Sequence, residues 1–68
     1  MGKIFRVIDV LEIMRMMYRK ERNPPTKELY LKYGLSIRQL LQDGHISELD
    51  KYEDVKSIIW KNASQLKE

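Results

Sequence analysis

The segment from Asn23 to Ile46, NPPTKELYLKYGLSIRQLLQDGHI, decides the fold of this 68-residue chain. Its pattern predicts two short helices, one over residues 26–33 and one over residues 36–43. A break at Gly34-Leu35-Ser36 separates them, because glycine and serine together favour a helix stop followed by a new start. The rest of the fold is predicted outward from this pair.

Capping residues set the predicted boundaries of both short helices. Thr26 is placed to cap the first, and Gly34 to end it in a left-handed conformation. Ser36 with Gln39 has the spacing of a capping box at the start of the second helix, and Gly44 ends it. A short helix, a glycine turn and a second short helix form the layout of a helix-turn-helix DNA reader.

The flanking segments predict one longer helix on each side, over residues 3–21 and 47–64. Their apolar residues recur every three or four positions, which is one face of an α-helix. The first stripe contains Ile4, Val7, Leu11, Met14 and Tyr18, and the last contains Tyr52, Val55, Ile59, Ala63 and Leu66. We therefore predict an all-α fold of four helices with a helix-turn-helix-like centre, no disulfides and no winged hairpin after Gly44.

The first predicted helix is apolar over more of its circumference than a thin core can cover. One interpretation makes it the central helix, wrapped by the other three. The other makes it the seam of a homodimer, with Met14, Met16 and Met17 as adaptable contacts. Leu49 and Trp60 form a second candidate contact patch on the last helix. Small domains often gain stability by association, so a homodimer is expected.

Length and composition exclude several classes of function. A chain of this size is predicted to be one domain, residues 1–68. It has no cysteine and a single histidine, so neither a disulfide framework nor a metal site is expected. It has no phosphate-binding loop and no nucleophile paired with a base, so we expect no cofactor and no enzyme activity. No stretch is apolar enough for a membrane span, and a cytoplasmic protein is expected.

The charge is unevenly distributed along the chain. Residues 1–38 carry nine Lys or Arg and four acidic residues, a net charge of +5. Residues 39–68 carry four Lys or Arg and six acidic residues, a net charge of −2. A basic front and an acidic back suit a molecule that turns one face towards a polyanion, and they also suit an ordinary solvated surface.

The middle of the chain resembles the DNA-binding domain of LexA-type repressors in a wingless, shortened form. The matching residues are Pro24, Pro25, Thr26, Glu28, Leu29, Tyr30, Gly34, Ser36, Gly44 and Ile46. That resemblance implies a helix-turn-helix fold and a role in transcription regulation. A weaker resemblance, to helical hairpins of the SHOCT-like kind, rests on Leu40, Leu41, Asp43, Gly44, Ile46, Ser47 and Tyr52.

Two functional hypotheses follow. In the first, the chain is a dimeric regulator that binds double-stranded DNA, with Arg38, Gln39 and Gln42 at base edges. Phosphates would be bound by Arg19, Lys20, Arg22, Lys27 and Lys32. Gln39 fits its capping role equally well. In the second, the chain is a small helical interaction module, an inhibitor or adaptor, that binds a protein partner through an apolar helix face. A continuous basic face would favour DNA, and an exposed apolar groove would favour a protein.

Overall fold

The computed structural model describes residues 3–66, which form three helices and no strand. Helix α1 spans Val7–Lys20, α2 spans Pro24–Gln42 and α3 spans Tyr52–Gln65. The all-α class is therefore confirmed. The four-helix count is wrong, because the two short central helices are one continuous helix, α2. The predicted domain, residues 1–68, includes four terminal residues outside the described range.

The predicted break at Gly34 and Ser36 lies inside α2. Gly34 is not in the left-handed region, and the Ser36 side chain caps nothing. Ser36 is fully buried instead: its hydroxyl donates to the Ile59 carbonyl at 2.9 Å and accepts from the Asn62 amide at 2.9 Å. Packing against α3 thus outweighs the local preference of these residues to end a helix. The turn of the predicted helix-turn-helix centre is absent from this segment.

Both proline residues belong to α2, whose N-cap lies three residues before the predicted Thr26 cap. Asn23 is the N-cap, and Pro24 and Pro25 occupy the first positions of the helix. A proline is tolerated there because the first amide groups of a helix need no partner within the helix. The carbonyl of Asn23 accepts from the amide of Lys27 at 2.8 Å, which is the first hydrogen bond of the helix.

The last helix begins at Tyr52 and not at the predicted residue 47, because the preceding segment is bound to α1. The Val7 amide donates to the Asp50 carbonyl at 2.9 Å, and the Ile8 amide donates to the Glu48 carbonyl at 3.1 Å. These bonds satisfy the free amide groups at the start of α1. They also keep residues 47–51 out of a helix, so the predicted start was wrong.

The predicted stop at Gly44 is confirmed. Gly44 has a φ of 77°, the left-handed conformation that favours glycine. The His45 amide donates to the Leu40 carbonyl at 3.0 Å, and the Gly44 amide donates to the Leu41 carbonyl at 3.2 Å. This pair of bonds is a Schellman motif, which ends α2 and turns the chain towards Ile46 in the core.

Helix α2 is the central helix and packs against both α1 and α3, so the interpretation that placed the first helix at the centre is wrong. The molecule is a plate of 30 × 30 × 17 Å. A plate this thin leaves many large apolar side chains exposed. Its core consists of Val7, Val10, Leu11, Tyr33, Ile37, Leu40, Ile46, Val55, Ile59 and Ala63. Within residues 3–66, no helix is long and apolar enough to cross a membrane.

The two interior glycines should respond to alanine with opposite signs. We expect Gly34→Ala to stabilise the protein by about 0.5–1 kcal/mol, because alanine is the better helix former. A Cβ atom at this position would lie 3.7 Å from the Met14 Cβ, an ordinary contact. Gly44→Ala should destabilise the protein by about 1 kcal/mol, since its backbone is left-handed. Urea unfolding of both variants measures the difference, and a destabilising Gly34→Ala would revive the predicted break.

Candidate functional site

Helices α2 and α3, with one residue of α1, form a mostly apolar groove of about 530 Å³. We call it the aromatic groove. It is lined by Met14, Thr26, Leu29, Tyr30, Lys32, Tyr33, Tyr52, Trp60, Ala63 and Ser64. Leu29 is 63% exposed and Trp60 is 60% exposed, so two large apolar side chains stand open to solvent at this groove.

Three aromatic rings shape the floor of the aromatic groove. The Tyr33 ring lies 4.8 Å from the Trp60 ring and 6.4 Å from the Tyr52 ring, between centroids. The Tyr33 and Tyr52 hydroxyls are hydrogen-bonded to each other. Burial raises the pKa of Tyr33 well above its ordinary value, and the hydrogen bond with Tyr52 raises it further. Tyr33 is therefore a buried and neutral side chain at the floor of the groove at ordinary pH.

A polar network fixes the spacing of the two helices that form this groove. Ser36, whose hydroxyl binds the Ile59 carbonyl, also accepts from the Asn62 side-chain amide. The same Asn62 amide donates to Gln39 at 3.4 Å. Because buried polar groups are costly when unpaired, this network favours one arrangement of α2 on α3. The groove is preformed by this packing.

A second groove, of about 290 Å³, lies between α1 and α2. We call it the arginine groove. Its walls are Leu11, Met14, Arg15, Tyr18, Arg19, Tyr30, Leu31, Gly34, Leu35 and Arg38. Within the described chain, Arg15, Arg19 and Arg38 form no salt bridge and no side-chain hydrogen bond. Three arginine residues without such a partner therefore line one groove.

The two grooves adjoin, because Met14 and Tyr30 line both of them. Among the described residues that line either groove, the charged ones are Arg15, Arg19, Lys32 and Arg38, and all are basic. The combined surface thus offers apolar contact at one end and positive charge at the other. Such a surface complements a ligand that is both apolar and anionic.

The structure places three of the eight residues predicted to bind DNA in the two grooves. Arg38 and Arg19 share the arginine groove, and Lys32 lines the aromatic groove. Gln39 is bonded to α3 through Asn62, and Lys27 lies 4.7 Å above the Tyr18 ring. The remaining three predicted residues are exposed and line neither groove: Lys20, Arg22 and Gln42.

The residues predicted to contact a protein partner also lie partly inside and partly outside the grooves. Met14 lines both grooves and Trp60 lines the aromatic groove. Met16 and Met17 are exposed on α1, while Leu49 is 72% exposed in the segment before α3. These last three residues line neither groove, so the structure brings together one residue from each predicted patch and leaves the other members of both patches outside the grooves.

Sequence reasoning missed several groove residues. Arg15 lies four residues before Arg19, a spacing that places both on one helix face and could have identified the basic cluster. Leu29 and Tyr33 have the same spacing on α2. Both lie within the predicted helix over residues 26–33, so their shared face was visible in the sequence, but the packing of that face against α3 was not.

Neither a cluster of metal-binding side chains nor a similar protein assigns a reaction to the two grooves. Among residues 3–66, no three His, Asp or Glu side chains cluster in a way that could hold a metal ion. Comparisons of the chain with protein-family models, with curated proteins and with solved structures gave no match. The resemblances to LexA-type and SHOCT-like domains therefore stay predictions.

Proposed function

We propose that this chain is a small helical interaction module that binds an amphipathic helix of another protein in its aromatic groove. The observation that carries the proposal is the open apolar groove between α2 and α3, with Leu29 and Trp60 more than half exposed at its edge. Exposed apolar concavities on small domains mark interaction sites. A helix laid in such a groove buries its apolar face against these side chains.

The hydrogen bonds around the groove favour helix binding, because they hold its two walls in one arrangement. Its floor is held by the Tyr33–Tyr52 hydrogen bond, and its helices by the buried Ser36 hydroxyl. A preformed site loses little conformational entropy when a ligand binds, which favours affinity. Large aromatic side chains such as Trp60 are also the residues most enriched at the centres of protein interfaces.

Double-stranded DNA is the second candidate, and the three unpaired arginines of the arginine groove support it. We favour a protein partner because Gln39 binds Asn62 instead of standing beside Arg38 for base contact. The arginine groove also has apolar walls at Leu31 and Leu35, which a phosphate backbone would not use. The homodimer stays a prediction, with a second copy of the chain as one competitor for the groove.

Binding of a helical peptide tests the proposed function through Trp60, the only tryptophan of the chain. The probe is a peptide of about 18 residues with a leucine face and glutamines elsewhere, roughly 27 Å long as a helix. We expect a saturable blue shift of Trp60 emission. Leu29→Ala should weaken binding about tenfold, because it removes apolar contact worth roughly 1.5 kcal/mol.

Leu49→Ala is the matched control, since Leu49 is as exposed as Leu29 but lies outside the groove. It should leave the peptide affinity unchanged. Calorimetry gives the affinity of each variant independently of fluorescence. The proposed function is rejected if the peptide causes no saturable change, or if both leucine variants weaken binding equally. Sedimentation of the free protein shows whether a second copy already fills the groove.

A further inference from the structure

We infer that the partner's helix continues into a cluster of carboxylates, and that these carboxylates bind Arg15, Arg19 and Arg38 in the arginine groove. This inference rests on the proposed function and specifies its ligand. The ligand class is an acidic amphipathic segment whose apolar and acidic parts follow one another along the chain. Apolar side chains would fill the aromatic groove, and carboxylates would lie beyond Tyr30 and Met14.

The arginine groove fits carboxylates because its three cations are unpaired and brought together by two helices. Arg15 and Arg19 come from α1, and Arg38 comes from α2. Like charges repel, and no acidic residue lines this groove to offset them. Arginine binds carboxylates through two parallel hydrogen bonds, so a glutamate or aspartate cluster would satisfy the donors and remove the repulsion.

The continuity of the two grooves gives the order of the partner's residues. Tyr30 and Met14 line both grooves, so a partner segment that fills one groove reaches the other by passing over these two residues. The molecule is 30 Å long, which a helix of about 20 residues spans. The apolar walls Leu31 and Leu35 support the stems of acidic side chains beside the arginines.

The test compares peptides of one length with the same leucine face. The first has only glutamine at its polar positions, and the second and third carry a glutamate cluster at one end or the other. The fourth carries the same glutamates dispersed along the helix. We expect one clustered peptide to bind about tenfold more tightly than the neutral and dispersed peptides at low salt. This preference should shrink as salt screens the charges.

Two triple variants with the same change in net charge assign the preference to the groove. Arg15→Gln, Arg19→Gln and Arg38→Gln together should abolish the preference for the clustered peptide and leave affinity for the neutral peptide unchanged. Lys51→Gln, Lys56→Gln and Lys61→Gln should preserve the preference, because these exposed lysines line neither groove. Circular dichroism confirms that both variants are folded.

The outcomes separate the inference from the proposed function. If the neutral peptide binds but no clustered peptide binds more tightly, the inference fails and the proposed function stands. The inference would also fail if both triple variants lost the preference for the clustered peptide equally, because the preference would then come from the net charge of the protein and not from the arginine groove. If duplex DNA binds the free protein more tightly than the clustered peptide does, depends on the three arginines and causes no change in Trp60 emission, the arginine groove is a nucleic-acid site and the inference fails. If no peptide binds, the proposed function itself fails.

Discussion

Replacing Ile37 with alanine is expected to destabilise the protein by about 2–4 kcal/mol, the largest effect of any single truncation on α2. Ile37 is fully buried, and it lies on the central helix beside Ser36, which contacts α3. A chain of this size has a total stability of roughly 3–10 kcal/mol. Losing the side chain would therefore leave a substantial fraction of molecules unfolded. Urea unfolding followed by circular dichroism measures the loss.

Leu35→Ala is the control, because Leu35 lies two positions earlier on the same helix and is 45% exposed. It should change the free energy of unfolding by less than about 1 kcal/mol, since little apolar area is lost from a buried environment. Similar losses for both variants would mean that α2 does not bury the face containing Ile37. That result would contradict the observed packing of α2 between α1 and α3.

The contrast between Gly44 and Gly34 shows how much of the fold was predictable from sequence. Both glycines follow an apolar stretch, and both precede a serine by two or three residues, so local patterns treat them alike. At Gly44 the backbone is left-handed and the prediction is confirmed. At Gly34 the helix continues, because Ser36 gains buried hydrogen bonds on α3 that local sequence does not reveal. The helical class was predictable, and this tertiary choice was not.

The grooves were less predictable than the helices. The basic residues of the first half and the exposed Trp60 were identified, but not the surfaces they share. A groove depends on which faces of two helices meet, and the error at Gly34 changed the direction assigned to the second half of α2. Once α2 is continuous, Arg38 lies at the same groove as Arg15 and Arg19. Gln39 meets Asn62 on the other helix.

High pH is expected to destabilise the protein through Tyr33, whose side chain is buried and whose hydroxyl is bonded to Tyr52. Burial and this hydrogen bond raise the pKa of Tyr33 above its ordinary value of 10.0. As the pH rises, the unfolded chain therefore releases the Tyr33 proton at a lower pH than the folded protein does. Above pH 10.0, the folded state holds more protons than the unfolded state. Stability is fully present below about pH 10 and falls as the pH rises above it, because proton release favours unfolding.

Tyr33→Phe separates this effect from the general loss of positive charge at high pH. The variant should lose about 1 kcal/mol at neutral pH, because the Tyr52 hydroxyl loses its partner. Its stability should then fall less steeply between about pH 9 and about pH 12 than that of the unchanged protein. Urea unfolding monitored by Trp60 fluorescence, which reports on the ring in contact with Tyr33, gives both curves. Tyr18→Phe should keep the steeper loss. If the curves of the Tyr33→Phe variant and the unchanged protein are parallel, Tyr33 releases its proton as easily in the folded state as in the unfolded chain. The aromatic groove would then lack the buried, neutral Tyr33 side chain assigned to its floor.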